Sequence, residues 1–465
     1  MAESGNIVLY KPVRGRYSFP MRIKLSSDKI QMFSYFILLC LAGSIALSLP
    51  SCYVSGNPVP YIDALFTSVS AVCVTGLSTV SMDVYTTAGF VVIMLLIEFG
   101  GLGLISFFAL YILVPKRRIS MVSRLVIRDF FIDDVESEPR RIVRDIVLLT
   151  LIIEGLGALF LSLGFRAAGS PRPVLDGAFH AVSAFCNAGF STYGTSMESF
   201  RSNAFILIVL MLLIVSGGIG FTVLSDVWNR FSRRKEKMSF HSRIVLIVTA
   251  ILVVFSALLF FVVEYDHSMK GFPLGDRVVD SFFQAITPRT AGFDAVPQSG
   301  LTPLSKLFTI MLMFIGGSPG SIAGGIKTTT FLIVFLYAIR GNVEKNGLNM
   351  RKRNVDTAVV EKAFSIFAKS MMIVIISTAL LLQTELQSLL AGTSSFLGIL
   401  FEVVSAFGTV GLSLGVTAGL SVWGKLIIIL TMFIGRTGVF AMALGGARQE
   451  KERFFEYPSA SIMVG

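Results

Sequence analysis

DALFTSVSAVCVTGLS (63–78), DGAFHAVSAFCNAGFS (176–191), DSFFQAITPRTAGFDA (280–295) and FLGILFEVVSAFGTVGLS (396–413) share one pattern. In each, a Phe precedes a Gly by ten positions: Phe66 and Gly76, Phe179 and Gly189, Phe282 and Gly292, Phe401 and Gly411. Each Gly is followed by Leu or Phe, and each stretch sits between long hydrophobic runs. Four copies of a short helix ending in a glycine turn at membrane depth imply a pore of approximate fourfold symmetry. In such a pore, backbone carbonyls can replace the water shell of an ion.

The flanking runs are long enough to span a bilayer, which takes roughly 20 residues each. They lie near 32–50, 87–114, 143–165, 203–227, 243–264, 302–340 (broken), 364–391 and 420–446. The pattern predicts an all-α polytopic membrane protein of four span–loop–span units: 30–118, 140–230, 241–342 and 363–446. A polar N-terminus (1–29) and a tail (447–465) flank them. Two spans return the chain to its starting side, so the units are parallel around an axis along the membrane normal, not inverted. Each returning span carries a glycine interruption: FGGLG (99–103), SGGIG (216–220), IGGSPGS (315–321) and IGRTG (434–438). Gly101, Gly317 and Arg436 lie 25 positions after their loop glycine, and Gly218 lies 29 after its own.

Composition supports a membrane solvent. Of 465 residues 54% are hydrophobic and 15% charged, against about 25% charged in soluble domains; mean hydropathy is +0.76. The net charge of +11 is distributed as topology and not as a nucleic-acid surface. Basic residues gather at the N-terminus, in the connections after each pair of spans and in the tail. By the positive-inside rule that side is cytoplasmic, with both termini inside the plasma (cell or inner) membrane. The first 29 residues hold no apolar core, so no cleavable signal is expected. Cys40, Cys52, Cys73 and Cys186 have neither zinc nor redox spacing.

The residues that end each short helix carry the chemistry. These are Val74-Thr75-Gly76, Asn187-Ala188-Gly189, Thr290-Ala291-Gly292 and Thr409-Val410-Gly411. Non-helical backbone at this depth is tolerated where it is buried in protein or lines a water-filled path. Helix C-terminal ends aimed at the centre favour a cation. Gly permits φ > 0 without a Cβ clash. Side chains at these positions differ between units, as backbone coordination would allow. The competing reading is four re-entrant packing loops with no ion.

The four units, above all VTGL, NAGF, RTAGF and GTVGLS, resemble the membrane subunit of the Ktr/Trk/HKT superfamily of potassium transporters over about residues 30–446. The first span starts near residue 32 with no extra helical pair ahead of it, which is more similar to the Ktr type than to the longer Trk type. The resemblance implies one potassium filter made by the four elements, a homodimer, and a cytosolic nucleotide-binding regulatory subunit. Arg289, Asp294 and Pro288 depart from the other units and single out the third quarter of the filter.

GGSPGSIAGGIKTTT (316–330) interrupts the sixth span with five glycines and a proline. It resembles the intramembrane gating loop of that family, with Gly316, Gly317, Ser318, Gly320, Gly324, Gly325 and Lys327 as gate residues; a simple kink is the alternative. Arg436, about sixteen residues or roughly 24 Å into the last span, is expected to contact this loop and set a positive charge at the constriction. Snorkelling to headgroups is its alternative. Lys327 divides evenly between a gate role and emergence toward the cytoplasm. Glu98 and Glu154, inside spans one turn or more from any filter residue, read as helix-packing partners rather than ion ligands.

Gly316-Gly317-Ser318-Pro319-Gly320 fits the G-x-S-x-G hydrolase pattern, but that pattern needs a preceding strand and a triad. The expected function is therefore potassium uptake and not catalysis. Three rivals remain: a sodium-permeable or nonselective cation channel of the same fold, an intramembrane enzyme, and a scaffold with a vestigial filter.

Overall fold

The computed structural model describes residues 27–54, 59–103, 139–232, 237–340, 347–350 and 353–438. The basic positions at 11–24, 116–118, 233–235 and 351–352 and the tail 447–465 lie outside these residues.

Helices build four successive units. The first is α1 (Ser27–Leu47), the short α2 (Tyr61–Val72) and α3 (Thr87–Gly101). The second is α4 (Pro139–Ala167), the short α5 (Pro173–Phe185) and a bent pair, α6 (Ala204–Ile219) and α7 (Phe221–Phe231). The third is α8 (Phe240–Glu264), the short α9 (Leu274–Ile286), α10 (Pro303–Phe314) and α11 (Thr328–Arg340). A small antiparallel hairpin, Leu348–Met350 against Arg353–Val355, leads to the fourth. That unit is α12 (Thr357–Thr384) with the one-turn α13 (Leu386–Leu390), the short α14 (Phe396–Gly408), and α15 (Val422–Phe433). α15 runs into a wider π turn, Ile434–Gly438.

Among the described residues, 143–167, Phe240–Glu264 and Thr357–Thr384 are each long and apolar enough to cross a bilayer. The α6–α7 pair meets the same test together but bends by 107°. The outer faces of the long helices suit lipid: Leu151, Leu156, Ile251, Val262 and Ile375 are exposed, as is Leu38 of α1. Serines and threonines point inward instead; Ser44, Thr150, Ser256 and Ser370 are fully buried. Small polar residues at buried helix contacts are a membrane-protein pattern.

The returning helices start alike. Thr86, Asn203, Thr302 and Ser421 each cap one, accepting the amides of Gly89, Ile206, Ser305 and Gly424. A side-chain cap satisfies one of the orphan amides of a helix start. Each returning helix then packs on its own short helix at a glycine. A methyl group on Gly100, Gly217 or Gly435 would collide with the backbone carbonyl of Val72, Phe185 or Phe407, respectively. In the third unit the equivalent Gly316 faces Gly324 of its own loop. The broken third span is thus the exception to an otherwise repeated contact.

One register reading needs correction. Phe66, Phe179 and Phe401 are wholly buried, but Phe282 is 37% exposed and its neighbour Phe283 is 1% exposed. Phe283, nine positions before Gly292, is therefore the core residue. The third unit is one residue shorter between its buried Phe and its glycine.

Candidate functional site

The four short helices end in the same backbone form. Val74, Asn187, Thr290 and Thr409 have φ of 50°, 55°, 73° and 51°, and Gly76, Gly189, Gly292 and Gly411 have φ of 90°, 71°, 77° and 99°. The intervening Thr75, Ala188, Ala291 and Val410 are absent from this positive-φ set. Four non-glycine residues in the left-handed region, all at one repeated position, mark backbone held against its preference, a costly state that clusters at functional sites.

The turns meet as a closed ring. A methyl group on Gly76 would sit 2.5 Å from the Ala188 carbonyl oxygen, and one on Gly189 would sit 2.9 Å from that of Ala291. On Gly292 it would collide with the Val410 carbonyl, and on Gly411 with the Thr75 carbonyl. The order is first to second to third to fourth and back to first. Every sequence-predicted residue of the four turns is buried except Gly76 and Gly411, which are half-buried.

Serines and a threonine that sequence reading passed over hold the turns, through their backbone carbonyls in every unit and through a hydroxyl in some. The amides of Thr75, Ala188 and Val410 donate to the carbonyls of Ser70, Ser183 and Ser405. In the shortened third unit, both Ala291 and Gly292 donate to the Thr287 carbonyl. Ser183 Oγ and Thr287 Oγ1 each donate to the residue after the glycine, at 2.7 Å to the Phe190 and Phe293 carbonyls. A second pin joins each short helix to the chain beyond the ring: Tyr85 to Thr67 at 3.1 Å, His180 to Ser191 at 2.9 Å, and Gln284 to Gln298 at 2.9 Å. Glu402 takes Thr417 Oγ1 at 2.7 Å and the Ser413 hydroxyl. The repeated Ser-Ala in 70–71, 183–184 and 405–406 was the available signal.

Arg289 lies buried in the third turn, and its Nε has no hydrogen-bond partner. Glu98 and Glu154 meet the residue just before the second turn. Glu98 Oε2 lies 3.7 Å and Glu154 Oε1 3.8 Å from Cys186 Sγ, immediately before Asn187. The three ligand atoms fall within 4.8 Å of one another.

The 316–330 segment folds back on itself. Gly316 N donates to Ile326 O at 2.9 Å, Thr328 N to Gly317 O at 3.1 Å, and Ser318 Oγ pairs with Thr328 Oγ1 at 3.0 Å. The Ser318 hydroxyl therefore meets a threonine and not a histidine. Two bonds tie the segment to the bend of the second unit: Ser318 N to Gly218 O at 2.9 Å and Phe221 N to Gly320 O at 3.1 Å. Gly325 has φ of 63°. A methyl group on Gly324 would collide with the Thr409 side chain, which places the segment against the ring.

Arg436 is 4% exposed. It donates to Ile322 O in the segment, and through Nη2 to the carbonyls of Gly100 and Gly101 at 2.7 and 2.8 Å. The expected contact with the segment is present, and the snorkelling alternative is not. Lys327 Nζ donates to Ala323 O at 2.5 Å within its own loop.

Comparison with known proteins agrees with this architecture. The TrkH family, described as cation transport protein, matches residues 18–457. The chain is 36% identical over 456 residues to the potassium/sodium uptake protein NtpJ of Enterococcus hirae, covering 96% of this chain and 98% of that one. It is 34% identical over 434 residues to the Ktr system potassium uptake protein B of Bacillus subtilis, covering 92% and 95%. Its fold is similar to the crystal structure of the potassium transporter TrkH from Vibrio parahaemolyticus, with TM-score 0.69 at 20% identity over 91% of this chain and 85% of that one.

Proposed function

The chain belongs to the TrkH family of cation transport proteins, and on that premise we propose that it takes up potassium across the plasma membrane through the four-turn ring. The observation that carries this reading is the closed ring, in which each unit's glycine abuts the backbone carbonyl just before the glycine of the next unit. A desolvated ion needs oxygen ligands in place of water, and carbonyl rings supply them. The potassium ion is cargo, coordinated by the backbone of 74–76, 187–189, 290–292 and 409–411. The short helices aim their C-terminal ends at it.

In this reading the 316–330 segment is the gate. Its tie through Arg436 to the first unit's Gly100 and Gly101 supports a latch between loop and helix. The protein acts as a transporter and not an enzyme, with both termini cytoplasmic. It assembles as a homodimer with a cytosolic nucleotide-binding regulatory subunit. Two similar proteins named as parts of a Ktr system make that partner reasonable.

Sodium permeability is the second reading, favoured by the name of the potassium/sodium uptake relative. Expression in a potassium-uptake-deficient cell, with and without a cytosolic partner, tests both. Growth at low external potassium is expected, with rubidium substituting for it. Equal sodium and potassium fluxes would replace the first reading with the second, and no cation flux would remove both.

A further inference from the structure

Two residues beyond the ring glycines stand Ser78, Ser191, Asp294 and Ser413. The three serines do one job. Each hydroxyl accepts the amide two residues on: from Val80 at 3.4 Å, Tyr193 at 3.1 Å and Gly415 at 2.9 Å. Each also pairs within its own unit. Ser78 donates to Val80 O at 2.7 Å, Ser191 lies 2.9 Å from His180 Nε2, and Ser413 donates to Glu402.

Asp294 stands apart from this scheme. Its Oδ1 is buried and has no hydrogen-bond partner. The neighbouring Gln298 amide lies near enough to the carboxylate to act on it, but its two closer bonds go elsewhere, at 3.1 Å to Gln284 Oε1 and 3.0 Å to Val296 O. The backbone of Asp294 is fixed, its amide donating to Ser196 Oγ at 3.1 Å and its carbonyl accepting from Met197 at 2.9 Å. Glu198 and Glu402 are near enough to act on it electrostatically, and both carry the same sign. Arg201, the cation that acts on Glu198, is held by Asp280 at 2.6 Å.

We propose that the Asp294 carboxylate is a monovalent-cation site at the outer mouth of the ring, where an ion is held before it enters. The inference rests on the conduction reading above. The mouth is outer because Gly324 of the 316–330 segment abuts Thr409, two residues before Gly411, whereas Asp294 lies two residues after Gly292. A buried carboxylate oxygen without a donor is costly as a bare anion, and a cation supplies the missing partner. One carboxylate among three neutral serines attracts an ion without trapping it, which conduction requires. Divalent calcium, with its need for six to eight oxygen ligands, is poorly served by this single group.

The test compares the full-length protein with Asp294→Asn, Asp294→Ser and Asp294→Glu in lipid vesicles, measuring rubidium flux against rubidium concentration. Asp294→Ser reproduces the residue of the other three units and guards against misfolding. The two neutral variants should raise the half-saturating concentration about tenfold, a loss of the size expected for one partly screened charge contact. Their maximal rate should change less than twofold, and Asp294→Glu should keep half-saturation low. Unchanged half-saturation in both neutral variants overturns the site. If the unmodified protein carries no rubidium, the conduction reading fails, and the site is then judged by thermal unfolding of the purified protein. A stabilisation by rubidium over choline that disappears in Asp294→Asn supports the site; equal stabilisation in both overturns it.

Discussion

At Gly292 and Gly411 a side chain faces two obstacles at once. The backbone sits at φ of 77° and 99°, which costs an L-residue roughly 1–2 kcal/mol, and the space a methyl would need holds the next unit's carbonyl. Only the second obstacle bears on an ion. Gly292→Ala, Gly411→Ala and Gly76→Ser should therefore cut rubidium flux at least tenfold in correctly inserted protein and narrow its preference over sodium. Gly392 separates the two effects, with φ of 72° and open space around it. Gly392→Ala should keep wild-type flux; a loss there equal to that of Gly292→Ala would mean that strain alone, not the carbonyl cage, sets the result. The ring glycines were legible because a positive-φ requirement leaves its mark in composition. The third unit's register was not. Phe282 and Phe283 are adjacent, and either satisfies a spacing rule; burial against the neighbouring units decides between them. The serine and threonine pins were equally hidden, since a buried hydroxyl in an apolar run reads as tolerated polarity until its partner is known.

Helix length and pairing were readable from hydrophobic runs, and the broken third span from its density of glycine. The 107° bend of the second unit at Gly220 was not. SGGIG looks like FGGLG in sequence, and the difference lies in a partner. Phe221 N bonds to Gly320 O, so the bend is held by the 316–330 segment of another unit. The segment is thus gripped on two sides, by the second unit's bend and by Arg436 from the fourth. Buried charge-assisted bonds of this kind are worth about 1.5–3 kcal/mol each. Arg436→Ala should raise basal flux and weaken dependence on a cytosolic partner, and removal of residues 320–325 should do so more strongly. Arg436→Lys should recover little, because one ammonium cannot reach three carbonyls on two elements as a planar guanidinium does. Vesicle flux without the partner is the measurement. Lower or unchanged flux in well-folded forms of both changes would leave the segment a packing kink.

Closure at the level of the molecule happens inside one chain. The last unit's Gly411 abuts Thr75 of the first, and Lys425 bonds Asp63 at 2.5 Å, joining the returning helix of the fourth unit to the short helix of the first. Arg201 and Asp280 make the matching tie between the second and third units at 2.6 Å. Both are shielded pairs, one joining the last unit to the first and the other two consecutive units, so they fix the order of the ring as well as its stability. A chain that closes its own ring needs no second copy to complete a pore. If the protein assembles as a dimer, each subunit should therefore conduct independently. Co-expressing an unmodified subunit with one carrying both Gly292→Ala and Gly411→Ala, and purifying mixed dimers by two different tags, should give about half the flux of the unmodified dimer per molecule. Half is the value for two independent paths, and the half-saturating concentration should stay at the unmodified value because the surviving path is unaltered. Complete loss of flux would mean that the two rings share one path or open only together, and would defeat the single-chain pore.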